Sequence, residues 1–225
     1  MTSDNNQHLK NTHSQAVICP TITASEPHEY RAQMERVAPF ATRVHIDLAD
    51  GVFTPNALLP LEQIWWPTGM QADVHLMYKA VTPFLDQLIA LQPSMVVMHA
   101  EAVDAFYPVA KKLKSHDIKV GISLLAVTPV SMLEPAAKDI DHVLIFSGDL
   151  GHFGGHAQLS LLQKVKEIQR LNQDIEIGWD GGINDSNIQK LVLGGVDVLN
   201  IGGAIHQASD PAVAYATLKT LSETK

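Results

Sequence analysis

What the chain is short of narrows its possibilities first. It has one cysteine, Cys19, so no internal disulfide can form and a reducing cytoplasm is the natural compartment. Its hydrophobic stretches are broken every few residues by charge, Gly or Pro, and none approaches the roughly 20 apolar residues that a membrane span needs. It has no basic block: 16 Lys and Arg face 24 Asp and Glu, a net charge of -8, which argues against nucleic acid and anionic membranes as partners. The opening MTSDNNQHLKNTHSQ lacks the apolar core of a secretory signal and reads as a disordered extension over 1–15. None of these shortages excludes a phosphorylated small molecule, because backbone amides bind phosphate without any Lys or Arg.

What is present is a hydrophobic share of 46% in 225 residues, enough for one sizeable core and hence a single domain over 16–225. From Ala16 onward, short β-rich runs alternate with segments of helical period, and eight such units can be counted in the sequence. The strands are read at 16–22, within 43–56, and at 72–77, 95–101, 119–125, 142–148, 175–182 and 196–205. Helix starts are expected at Ser25 as an N-cap, at Thr82-Pro83, Thr128-Pro129 and Asp210-Pro211, and at Asn184 or Asp185. Repeated strand-then-helix units of this size predict an α/β fold, a (β/α)8 TIM barrel, with a doubly wound open sheet as the rival.

In such a barrel the loops after the strands meet at one face, so residues at the strands' C-terminal ends converge whatever their separation in sequence. His45 and Asp47 alternate on one face of the second strand. With His75 on the third strand and Asp180 on the seventh they make a set of imidazole and carboxylate donors. That set suits zinc, iron, manganese or cobalt, and the absence of Cys ligands points to an open catalytic site rather than a closed structural one. Paired glycines follow strands six, seven and eight: Gly154-Gly155, Gly181-Gly182 and Gly202-Gly203. Glycine lets peptide N–H groups surround a phosphate, and barrel phosphate sites commonly follow strands seven and eight.

The segments ICPTI, VHIDLADGVFTPN, DVHLM, MHAEA, KVGI followed by TP, FGG, WDGGIN and GGAI then carry a family likeness. In their order and spacing, across about Ile18 to Ile205, the chain resembles the ribulose-phosphate 3-epimerase family, whose fold is the ribulose-phosphate-binding type of TIM barrel. The resemblance implies one divalent metal held by His45, Asp47, His75 and Asp180, with Asp47 and Asp180 as the acid/base pair. It implies substrate contacts at Thr21, His75, Gly154, Gly155, Gly181, Gly182, Gly202 and Gly203. It further implies a small sugar phosphate as ligand, no organic cofactor, and a homo-oligomer; Trp65-Trp66 is a candidate interface patch or else part of the core. The chain departs from the family pattern at Thr21, where the family has Ser, and at Ala49 and Phe146, where it has methionines beside the one kept as Met77. The loop Asp149-Leu150-Gly151-His152-Phe153-Gly154-Gly155 is one residue longer than the family's, Gly203 replaces a serine, and Gly178 replaces an inward glutamate.

The chemistry matches that residue set. Epimerising a carbon beside a ketone takes a proton from one face and returns one to the other, which calls for two carboxyl groups on opposite sides. The enediolate between those steps needs a positive partner, which a divalent metal provides, while remote phosphate binding orients the sugar. The expected activity is 3-epimerisation of D-ribulose 5-phosphate to D-xylulose 5-phosphate. A ketohexose 6-phosphate such as allulose 6-phosphate is the near alternative, and a non-catalytic sugar-phosphate-binding barrel is another. A metal-free decarboxylase or aldolase-like barrel asks for a Lys near a carboxylate, which the candidate strand ends do not carry.

Overall fold

The computed structural model describes residues 15–148, 150 and 155–223. The extension expected over 1–15 lies outside the described residues save for Gln15. Eight strands close into a barrel in sequence order: β1 (Val17–Thr23), β2 (Arg43–Ala49), β3 (Gln71–Met77), β4 (Met95–His99), β5 (Lys119–Leu124), β6 (His142–Phe146), β7 (Glu176–Asp180) and β8 (Val198–Ile201). All neighbours are parallel, and β1 completes the circle against β8 with Val17 opposite Val198 and Cys19 opposite Asn200. The open sheet is thereby excluded. No described helix is long and apolar enough to cross a membrane.

Parallel strands require crossovers that cover the sheet's outer face. Here they carry α1 (Pro27–Val37), α2 (Leu85–Leu91), α3 (Phe106–Lys114), α4 (Leu162–Leu171), α5 (Ile188–Leu193), α6 (Gly203–His206) and α7 (Pro211–Glu223). One side-chain parity of each strand, such as Val44, Ile46 and Leu48 or Ile177 and Trp179, is buried in the core shared with these helices. The stripe Tyr30, Met34 and Val37 of α1 is buried as its spacing predicts.

Element ends differ from the sequence reading where local chemistry overrides it. Ser25 does not cap α1; Glu26 is the N-cap residue, without a side-chain cap bond, and Pro27 opens the helix. The Thr82 hydroxyl donates to Asp104 Oδ1 at 2.8 Å, and a 3₁₀ turn, Thr82–Phe84, precedes α2. After Thr128-Pro129 there is no α-helix but a 3₁₀ stretch, Val130–Ala136, because Pro135 inside it has no N–H to give. Asn187, not Asn184 or Asp185, is the N-cap residue of α5. β8 ends at Ile201 instead of 205, and Gly203–His206 turns as α6. Asp210 does start α7, its Oδ1 accepting the N–H groups of Ala212 and Val213.

Side chains of the other parity fill the barrel in tiers. At the N-terminal end, Arg43 Nε donates to Asp73 Oδ2 at 2.7 Å, and its two terminal nitrogens donate to the two oxygens of Glu176 at 2.8 Å each. His142 Nδ1 lies 2.8 Å from Glu176 Oε2. A methyl on Gly178 would fall 2.5 Å from His142 Nε2, so this imidazole occupies the place a larger residue at 178 would need. Met95, Val97 and Leu144 form an apolar tier above. His45 and Asp47 of β2, His75 of β3 and Asp180 of β7 lie toward the opposite, C-terminal end.

Candidate metal centre

Strand alternation brings His45 and Asp47 to the barrel interior, and register sets Asp47 directly opposite His75 on β3. Asp180, the last residue of β7, completes the group. His45, Asp47, His75 and Asp180 each offer a ligand atom, all within 4.8 Å of one another. Asp47 Oδ1 is 2.9 Å from His75 Nδ1 and 3.3 Å from His45 Nε2, which in turn is 3.8 Å from Asp180 Oδ2.

These groups are buried, His45 and His75 at 1% and 0% exposure, so their polar atoms need partners. Yet among the described residues His45 Nε2 finds no hydrogen-bond partner, although it faces two carboxylates. A buried nitrogen left without a partner beside two anionic oxygens is the arrangement a divalent cation satisfies, and the mixed N and O donors fit one. The protein's own groups already polarise the pair. Burial would raise Asp47, but the adjoining imidazoles of His45 and His75 outweigh it and hold the carboxyl well below its ordinary range. Burial and the charge of Asp47 push Asp180 up to about 7. Burial pulls His75 down to about 4, whereas for His45 burial is overcome by Asp47 and the value rises.

Four neighbours of this group were not singled out from the sequence. Thr23 Oγ1 donates to Asp47 Oδ2 at 2.7 Å, and the Asn200 amide lies 3.2 Å from His45 Nδ1. His99 Nε2 lies 2.9 Å from His75 Nε2, and His99 Nδ1 lies 3.3 Å from Glu101. The available signal was the pattern His99-x-Glu101 at the end of β4, which repeats His45-x-Asp47.

A cavity of about 1040 Å3 opens above Asp47 and Asp180. Thr21, Ala49, Met77 and Phe146 line it, as do Gly155, Gly181, Gly182, Gly202 and Gly203. Gly154 lies outside the described residues. His75, expected also to touch substrate, is fully buried and not in the cavity wall. Glycine is required at 182, where φ is +71° and a Cβ would fall 2.1 Å from Ala157 N.

Comparison with known proteins places this site in context. A family model described as the ribulose-phosphate 3 epimerase family matches residues 17–206. Ribulose-phosphate 3-epimerase of Helicobacter pylori strain J99 is 30% identical over 92% of this chain and 98% of its own length. That of Mycobacterium tuberculosis strain H37Rv is 31% identical over 90% of this chain and 91% of its own. Among solved structures, 3-hexulose-6-phosphate synthase from Salmonella typhimurium superposes with a TM-score of 0.71 at 16% identity, covering 92% of this chain and 98% of that one. At that identity the likeness speaks for the fold alone.

Proposed function

The chain belongs to the ribulose-phosphate 3-epimerase family, and from that premise we propose that it epimerises D-ribulose 5-phosphate and D-xylulose 5-phosphate at C3. The observation that carries this reading is geometric: two carboxyl groups, Asp47 and Asp180, stand together with His45 and His75 at the floor of one cavity. A C3 inversion needs such a pair, one carboxylate to take a proton and one carboxyl to deliver a proton to the other face. Asp47 starts as base and Asp180 as acid in one direction, and they exchange roles in the other. Thr23 holds Asp47 Oδ2, which fixes the carboxylate's orientation.

His45, Asp47, His75 and Asp180 would hold the divalent ion, which when bound supplies Lewis acidity toward the oxygens beside the reacting carbon. The glycines after β7 and β8 supply backbone to the far wall, where the substrate's phosphate would be held away from C3 and the sugar oriented between the carboxyls. The reading extends to a homo-oligomer in the cytoplasm, with Trp65, 39% exposed, as a candidate contact.

The test is proton exchange. With zinc, iron, manganese or cobalt bound and in deuterated solvent, the protein should exchange the C3 proton of ribulose 5-phosphate and yield xylulose 5-phosphate. Asp47→Asn and Asp180→Asn should each lower kcat/KM by about 10²–10⁴-fold. No C3 exchange with any of these ions would sink the reading. A ketohexose 6-phosphate is the second reading, favoured by Ala49 in the wall of a cavity of about 1040 Å3, and parallel assays with both sugars decide between them. Ligand binding that persists under chelator, without exchange, would instead mark a sugar-phosphate sensor.

A further inference from the structure

His75 is held at both ring nitrogens. Its Nδ1 lies 2.9 Å from Asp47 Oδ1, and its Nε2 lies 2.9 Å from His99 Nε2. His99 Nδ1 lies 3.3 Å from Glu101 Oε2. The other oxygen, Oε1, accepts from the Leu125 N–H at 3.2 Å and from the Thr128 hydroxyl. Lys164 steadies the same loop by donating to the carbonyls of Leu125 and Thr128 at 2.7 and 2.6 Å. The side chains of His75 and His99 are fully buried, and Phe53 packs on His99 at a centroid distance of 4.6 Å. The row is therefore a closed set of donors and acceptors.

Its direction is set from the far end. An ionised carboxylate only accepts, so the nitrogen facing Glu101 carries a proton, and that nitrogen is His99 Nδ1. A neutral His99 then has its lone pair on Nε2, so the proton between the two rings belongs to His75 Nε2. His75 is left with a bare Nδ1 facing Asp47 Oδ1, two acceptors 2.9 Å apart. Such a pair repels unless a cation adjoins both members, as a divalent ion held by this nitrogen and this oxygen would.

We infer that His99 and Glu101 are positioning residues that lock His75 in its Nε2–H tautomer, making Nδ1 the ligand atom and preparing the site for a metal ion instead of a proton. Histidine ligands are commonly oriented by what their other nitrogen donates to; here the orienting carboxylate acts through a second imidazole. The inference rests on the metal-dependent reading above, but its readouts are tautomer and metal affinity, not turnover. A protein that fits these readouts yet exchanges no C3 proton would defeat the epimerase reading and leave this one standing.

Glu101→Gln tests the direction with little change of shape. The Leu125 N–H holds the amide oxygen at the Oε1 position, so the NH₂ group faces His99 Nδ1 and the row runs backwards. His75 then carries its proton on Nδ1, where the ion would bind. Zinc affinity, measured by competition with a chromogenic chelator, should fall about 10–100-fold. Glu101→Asp disturbs packing more but still only accepts, and should keep more of the affinity. Long-range ¹H–¹⁵N NMR of the metal-free protein should find the His75 proton on Nε2 in the native chain and on Nδ1 in E101Q. Native zinc affinity in E101Q overturns the inference, as does a loss in E101D as large as in E101Q. An Nδ1–H tautomer of His75 in the native protein overturns it too, and that measurement needs no variant to fold.

Discussion

Two carboxyl groups in one buried pocket are not both charged without cost, and their neighbours decide which keeps its proton. Asp47 accepts from the Thr23 hydroxyl at one oxygen, and the imidazoles of His45 and His75 adjoin the other. Asp180 has burial and the charge of Asp47 against it and rises to about 7. Above an unfolded value of about 4, the folded chain therefore holds a proton that the unfolded chain has released. The contribution of Asp180 to stability is complete below about pH 4 and is lost as pH rises through 7. In chelator, native protein should lose more melting temperature between pH 4 and 8 than Asp180→Asn, which cannot ionise; parallel slopes in the two proteins would contradict this. His45, Asp47, His75 and Asp180 were legible in the sequence because strand alternation fixes which side chains share a face. His99 and Glu101 were quoted there only as part of a likeness. Their role depends on a ring-to-ring contact across β3 and β4 and on a loop after β5, which no spacing along one strand encodes.

The turn from β8 into α6 is where element ends matter most. Gly202 and Gly203 both line the cavity, but their surroundings differ. A methyl on Gly202 would lie 2.5 Å from Thr21 Oγ1, whereas one on Gly203 meets nothing nearer than Gln207 Nε2 at 3.7 Å. Gly202→Ala should cost about 1–3 kcal/mol of stability and raise KM for the sugar phosphate. Gly203→Ser should stay within about 0.5 kcal/mol of the native chain and, by adding a hydroxyl to the wall, leave KM unchanged or lower. Urea unfolding and steady-state kinetics check both, and equal effects of the two changes would contradict the geometry. The eight strands were readable as apolar runs between turn signals, but their ends were not. Val196 to Ile205 is apolar enough to read as one strand, and only the packing of Gly202-Gly203 shows where it stops. Thr128-Pro129 has the same form as a helix start, yet Pro135 six positions on prevents an α-helix.

At the scale of the whole molecule the barrel is tied at its N-terminal end by Arg43, Asp73, His142 and Glu176. Asp73 is 2% exposed, so removing its guanidinium partner leaves a buried charge uncompensated. Arg43→Leu should cost about 3–5 kcal/mol, measured by denaturant unfolding, and a cost below about 1 kcal/mol would show the cluster to be incidental. Arg43 and Glu176 are 133 positions apart in sequence. A cut between β4 and β5 would leave Arg43 and Asp73 on one piece and His142 and Glu176 on the other. The same cut would separate His45, Asp47 and His75 from Asp180. Each half would thus carry an unmatched share of the charge cluster and an incomplete ligand set, so neither piece is a smaller working version of the protein, and regained metal binding in a mixture would report that the halves had found each other.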